Sequence, residues 1–157
     1  MLQIIQAFIC ENLTIDQTTN NVSAFGIVDQ ITVPPDAFVP NEDGSVNVAE
    51  GALTLFALFS WEWPERIERR STEVMIRITT PRGNHYLSLN ATKIDQDDET
   101  FRHRLITEIG QFPLDEPGFY VFTFIENGVD LHSIPLKVVA EDETPNDNAT
   151  GERRAER

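Results

Sequence analysis

The chain of 157 residues contains a single cysteine, Cys10. No disulfide framework can form within it, which fits a reducing compartment. Lysine is nearly absent: Lys93 and Lys137 are the only two, and arginine supplies the other basic positions, a coding bias of the source rather than a function. Twelve basic residues against 26 acidic ones leave a net charge of −14. Such a surface has no broad positive face, which argues against nonspecific binding to nucleic acid or anionic membranes. No stretch approaches the roughly 20 apolar residues a membrane helix needs. The N-terminus lacks a basic leader, and Gln3 and Gln6 interrupt its apolar run, so it reads poorly as a signal peptide. The expected location is cytoplasmic, with no membrane association. Glycine is scattered singly, so no loop is built to cradle a phosphate.

Helical periodicity is also missing. What recurs is the strand pattern, bounded by turn residues. Leu2–Cys10 carries apolar residues on both alternating faces, as a strand covered on both sides would. Val22–Val33 reads as one long strand stopped by Pro34-Pro35. Residues 34–51 form the longest irregular stretch, and Ala52–Trp63 is an apolar strand closed by Pro64. Ser71–Thr80 alternates, with Val74, Ile76 and Ile78 on one face and Glu73 and Arg77 on the other. Pro81-Arg82-Gly83 fits a tight turn. Strands follow over 84–90, 101–109, 119–126 and 131–139. Asn127-Gly128 is a strong hairpin signal, because a type I′ turn needs positive φ at both central residues.

About eight strands without intervening helices predict an all-β, antiparallel β-sandwich of immunoglobulin/C2-like shape over 1–139. The spacing Glu116-x-Gly118-x-Tyr120 matches a tyrosine corner, in which the phenol bonds back to the chain where a strand begins. From Ala140 to Arg157 the composition holds no large apolar residue, and a disordered tail is expected there.

Two segments carry a family resemblance. The opening Gln6-Ala-Phe-Ile-Cys-Glu11, with Phe25-Gly26-Ile27-Val28 and Ile31, resembles the start of a family of small uncharacterised bacterial β-sandwich proteins. The end, Gly118-x-Tyr120-x-Phe122 with Glu126-Asn127-Gly128, Leu131, Pro135-Leu136 and Val138, is similar to that family's closing hairpin. The resemblance spans residues 2–139 and implies a compact sandwich, no established activity and no functional residues to carry over. The chain departs from the family in its 34–51 loop and at Trp61/Trp63.

Residues with chemical potential are few. His85 and His103 fall diagonally on one face if strands 84–90 and 101–109 form a hairpin, but a metal site needs a third ligand and none is near in sequence. The plain reading is two hydrogen-bonded histidines at a sheet margin. The carboxylates of 95–99 lack the obligatory glycine of a calcium loop and read as a solvated turn. Cys10 has no adjacent base and reads as a buried, inert thiol. Trp61 and Trp63 share one face beside Pro64, where indoles can stack on a sugar ring or an apolar anchor, although the same parity carries Leu53, Leu55 and Phe59 and the plain reading of that face is core. Arg66 and Arg69 form a small basic spot, and Phe38 lies in the long loop. The expected function is therefore a non-enzymatic module without cofactor or metal. It would bind a protein partner, and no nucleic acid, through loops 34–51 and 61–70, with Trp61, Trp63, Phe38, Arg66 and Arg69 on the contact surface. A carbohydrate- or calcium-binding sandwich is the alternative, and a homodimer through an edge strand fits the open sheets.

Overall fold

The computed structural model describes residues 2–60, 71–87, 92–95 and 102–141. Among them run ten strands: β1 (Gln3–Ile15), β2 (Val22–Ile27), β3 (Gln30–Val33), β4 (Asn47–Ser60), β5 (Ser71–Thr79), β6 (His85–Leu87), β7 (Thr92–Asp95), β8 (Arg102–Leu114), β9 (Gly118–Glu126) and β10 (Val129–Ala140). The chain is all-β, with more strands than the eight expected. One sheet has the order β2-β1-β4-β8, and the other β3-β10-β9-β5-β6, with β7 also pairing β5. Every pairing is antiparallel except β3 with β10, which is parallel.

The two sheets share one core. β9 lies at the centre of its sheet, and Tyr120, Phe122 and Phe124 are fully buried there beside Ile76, Ile78, Leu136 and Val138. Leu2, Ile9, Ile109 and Leu114 of the first sheet close the same cluster from the other side. The alternation read in β5 holds: Val74, Ile76 and Ile78 are buried and Glu73 is exposed. Asn127 and Gly128 have φ of 47° and 84° at the tip of the β9–β10 hairpin, as the type I′ turn requires. The turn at Pro81 also forms, closed by Gly83 N–H donating to Thr80 O at 2.8 Å.

Four expectations are corrected. Val22–Val33 is not one strand: β2 belongs to the first sheet and β3 to the second. Gly26 has a φ of +62° within β2, the pairing with β1 continues to Ile27, and the chain changes sheet at Val28 and Asp29. β6 and β8 do not form a hairpin, because β6 pairs β5 while β8 pairs β4. The long loop is shorter than 34–51, since β4 begins at Asn47. Within it, Pro35–Phe38 forms a 3-10 turn, where the sequence reads as irregular, and packs the half-buried Ala37 and Phe38 against the core.

Two buried carboxylates fasten the ends of the second sheet. Glu126 accepts from Leu2 N–H at 3.0 Å and from the Thr72 hydroxyl at 2.9 Å, tying the start of β1 across to β9. At the opposite end the Tyr120 hydroxyl accepts the Asp115 N–H at 2.7 Å and donates to Glu116 O at 3.0 Å. Asp115 in turn accepts from the Thr80 hydroxyl and from Asn84 Nδ2, each at 2.9 Å. Arg82 lies 3.3 Å from its second oxygen and also donates to Glu116 at 3.1 Å. Gly118 completes this corner: a β-carbon there would sit 2.9 Å from Pro81 Cγ.

Candidate functional site

The crossover from β2 to β3 builds the candidate site. Val28 N–H donates to Ile9 O at 2.8 Å, and Asp29 O accepts from Lys137 N–H at 2.9 Å. These bonds hold the crossover to both sheets at once, so it is a fixed wall and not a free loop. Residues 26–32, with Glu11 opposite, line a groove of about 410 Å³. Gly26 has a specific role here. A β-carbon on it would lie 2.7 Å from Glu11 Oε2, so the missing side chain is what lets the Glu11 carboxylate lie over the backbone. Asp29 supplies a second exposed carboxylate, and neither is ion-paired with a cation among the described residues. Ile27 stands 68% exposed at the rim, with Phe25 at 58% one strand step away. The arrangement offers negative charge beside apolar surface, which attracts a cation through the carboxylates and through the face of an aromatic ring.

Among the described residues, those singled out from the sequence do not converge. Trp61, Trp63, Arg66 and Arg69 lie outside the described residues, as do residues 96–99 of the acidic loop and the tail from 142. His85 is in the second sheet, exposed, with its Nδ1 3.0 Å from the Thr79 hydroxyl, whereas His103 is in the first sheet. His132 is exposed on β10. Cys10 is buried, donates weakly to Thr54 O at 3.6 Å, and burial pushes its thiol pKa up. Asp43 is occupied by Ser45, whose hydroxyl donates to it at 2.6 Å. No cluster of three or more metal-capable side chains occurs among the described residues. No helix among them is long and apolar enough to cross a membrane.

No protein-family model and no curated protein matches the chain. Among solved structures it is similar to a Pseudomonas fluorescens alkylpurine DNA glycosylase, AlkC, bound to DNA containing an abasic site analog. The TM-score is 0.49 at 12% identity over 88% of this chain, which spans 30% of the glycosylase. So distant a likeness transfers no residue role. It does stand against two expectations, the module binding a protein partner through loops 34–51 and 61–70 and the exclusion of nucleic acid, since the solved structure is a DNA-bound enzyme. Both are withdrawn. The exclusion rested on net charge, which governs nonspecific attraction at long range and says nothing about a local contact. The carbohydrate and calcium alternative is withdrawn with them; it rested on Trp61/Trp63 and the acidic loops, of which Trp61, Trp63 and residues 96–99 lie outside the described residues.

Proposed function

We propose that the chain is a non-catalytic recognition module of immunoglobulin-like sandwich form that takes a small organic cation with an apolar portion in the groove between Glu11 and Asp29. The observation that carries this reading is the groove itself: Glu11 faces a wall that carries Asp29 and is held to both sheets, neither carboxylate is ion-paired among the described residues, and Ile27 stands exposed beside them. The immunoglobulin-like assignment is supported by the tyrosine corner. The two resembling segments support membership of the small bacterial family over residues 2–139, and the composition supports a tail beyond that body and a cytoplasmic setting.

Calorimetric titration tests the reading with an alkylammonium, an aromatic ammonium, a polyamine and short single- and double-stranded oligonucleotides as probes. Binding of an ammonium probe that weakens with added salt is expected. Glu11→Gln and Asp29→Asn should each weaken it about 2- to 5-fold, the range of an exposed ion pair. Gly26→Ala, which drives a β-carbon onto the Glu11 carboxylate, should do the same. Equal affinity across all four proteins, or oligonucleotide binding in place of ammonium binding, overturns the proposal.

A further inference from the structure

We infer that the outer half of the β1–β2 ribbon is a latched flap closed over the outward face of the first sheet. Strand register fixes which residues face away from the core. Phe8, Phe56 and Ile106 stand in one row, and Cys10, Thr54 and Glu108 in the next. Ile9, one residue from each of Phe8 and Cys10, points the other way into the core. Side chains on the outward face of a two-sheet protein should meet water. Yet Cys10 is completely buried and Phe56 is 4% exposed, with the Phe8 ring stacked on Phe56 at 4.8 Å. Something lies over them.

Arg104 identifies it. This residue is on β8, at the sheet edge opposite β2. Its guanidinium donates to Asn20 O at 2.9 Å and to the Asn20 side-chain oxygen. Asn20 is in the turn between β1 and β2. β1 leaves β4 after Cys10, and a ribbon running straight on would carry its tip roughly 20 Å further, at about 3.3 Å per residue. Arg104 pairs with Leu58, which pairs with Gln6, so it lies behind that departure point. The tip can reach Arg104 only if the ribbon doubles back across β4. Leu13, Val22 and Ala24 on the ribbon are half-buried and belong to no part of the main core, as a cover for a separate apolar face would be.

The parts of a flap are all present. Gly26, at φ +62° opposite Glu11, is the bend. Among the described residues β2 pairs with β1 alone, and a two-stranded ribbon is marginal without support. The tip is preformed: Thr18 and Thr19 N–H donate to Asp16 Oδ1 at 2.7 and 3.0 Å, and Asn20 is held at φ 58°. The Arg104 contact is the latch. Opening would uncover Phe56, Phe8 and Cys10 while leaving the core between the sheets intact.

Cys10 is the chain's only cysteine, so its alkylation by iodoacetamide reports flap opening directly. Labelling rates measured against urea, well below the unfolding midpoint, test the inference for the native protein, Arg104→Ala and Asn20→Gly. The last variant keeps the positive φ and removes the side-chain acceptor. We expect labelling that depends only weakly on urea, because local opening exposes little surface. Arg104→Ala should speed it about tenfold, the weight of a hydrogen bond to a charged group, while the labelling keeps its weak urea dependence. Asn20→Gly should speed it a few-fold, and it decides the matter alone if Arg104→Ala does not fold. Labelling with the full urea dependence of global unfolding, or a rate that neither variant changes, overturns the flap.

Discussion

Replacing Phe122 with alanine should lower the free energy of unfolding by about 3–5 kcal/mol, the range for emptying a buried aromatic site. Phe122 has no exposed surface and sits mid-strand on β9, between Ile78 of β5 and Ile134 of β10. Its neighbours are held by hydrogen-bonded ladders on both sides, so they cannot collapse into the space a truncated ring leaves. A domain of this size has a stability of about 5–15 kcal/mol, and the substitution removes a large share of it. Phe119 is the control, three residues earlier on the same strand but 59% exposed. Phe119→Ala should change stability by no more than about 0.5 kcal/mol. Urea unfolding followed by tryptophan fluorescence measures both. A loss under about 1.5 kcal/mol at Phe122 would mean that the centre of the core lies elsewhere.

How much of this was legible in the sequence depends on how local the cause was. The Asn127-Gly128 hairpin, the alternation of β5 and the Tyr120 corner are each determined within about ten residues, and all three are present. The fate of Val22–Val33 is not local. Its apolar pattern is the same whether it pairs with one sheet or two, and the single hint was Gly26, since an isolated glycine in a strand pattern marks a bulge or a close backbone approach. That glycine proves to be both the wall of the groove and the bend of the ribbon. Likewise, the apolar outward face of β1 read correctly as covered, but the pattern could not say by what. The cover is proposed to be the continuation of the same strand, folded back. A pairing of neighbouring strands would bring His85 and His103 together, but β6 and β8 join different sheets. The groove itself is made where the chain changes sheet, so no periodicity announces it.

The corner around Asp115 should be the second most sensitive place in the molecule. Asp115→Ala is expected to cost about 2–3 kcal/mol, the scale of a lost hydrogen bond to a charged group. It strands the buried Thr80 hydroxyl without its acceptor, whereas the Asn84 amide, on an exposed residue, can turn to water. The Arg82 contact adds less, because that guanidinium is mostly exposed. Asp115→Asn retains an acceptor oxygen and should recover part of the loss, which separates hydrogen bonding from mere occupancy of space. The phenol of Tyr120 adds a signature in pH. Burial pushes its pKa above the ordinary value of 10.0, outweighing the backbone N–H groups of Asp115 and Glu116 that favour the ionised form. A pKa raised on folding means that the neutral phenol is the form the fold prefers. Its contribution is therefore complete below pH 10, the unfolded value, and is lost as pH climbs through the higher folded value. The buried Cys10 thiol acts in the same direction from about pH 9. The difference between the native protein and Tyr120→Phe isolates the phenol: the native protein should lose stability more steeply above pH 10, and parallel profiles would refute the assignment. Because Tyr120 and Asp115 meet through one backbone N–H, the double variant should cost less than the two single losses added, with a coupling of about 0.5–3 kcal/mol. Strict additivity would mean that the two act as separate fastenings and not as one corner.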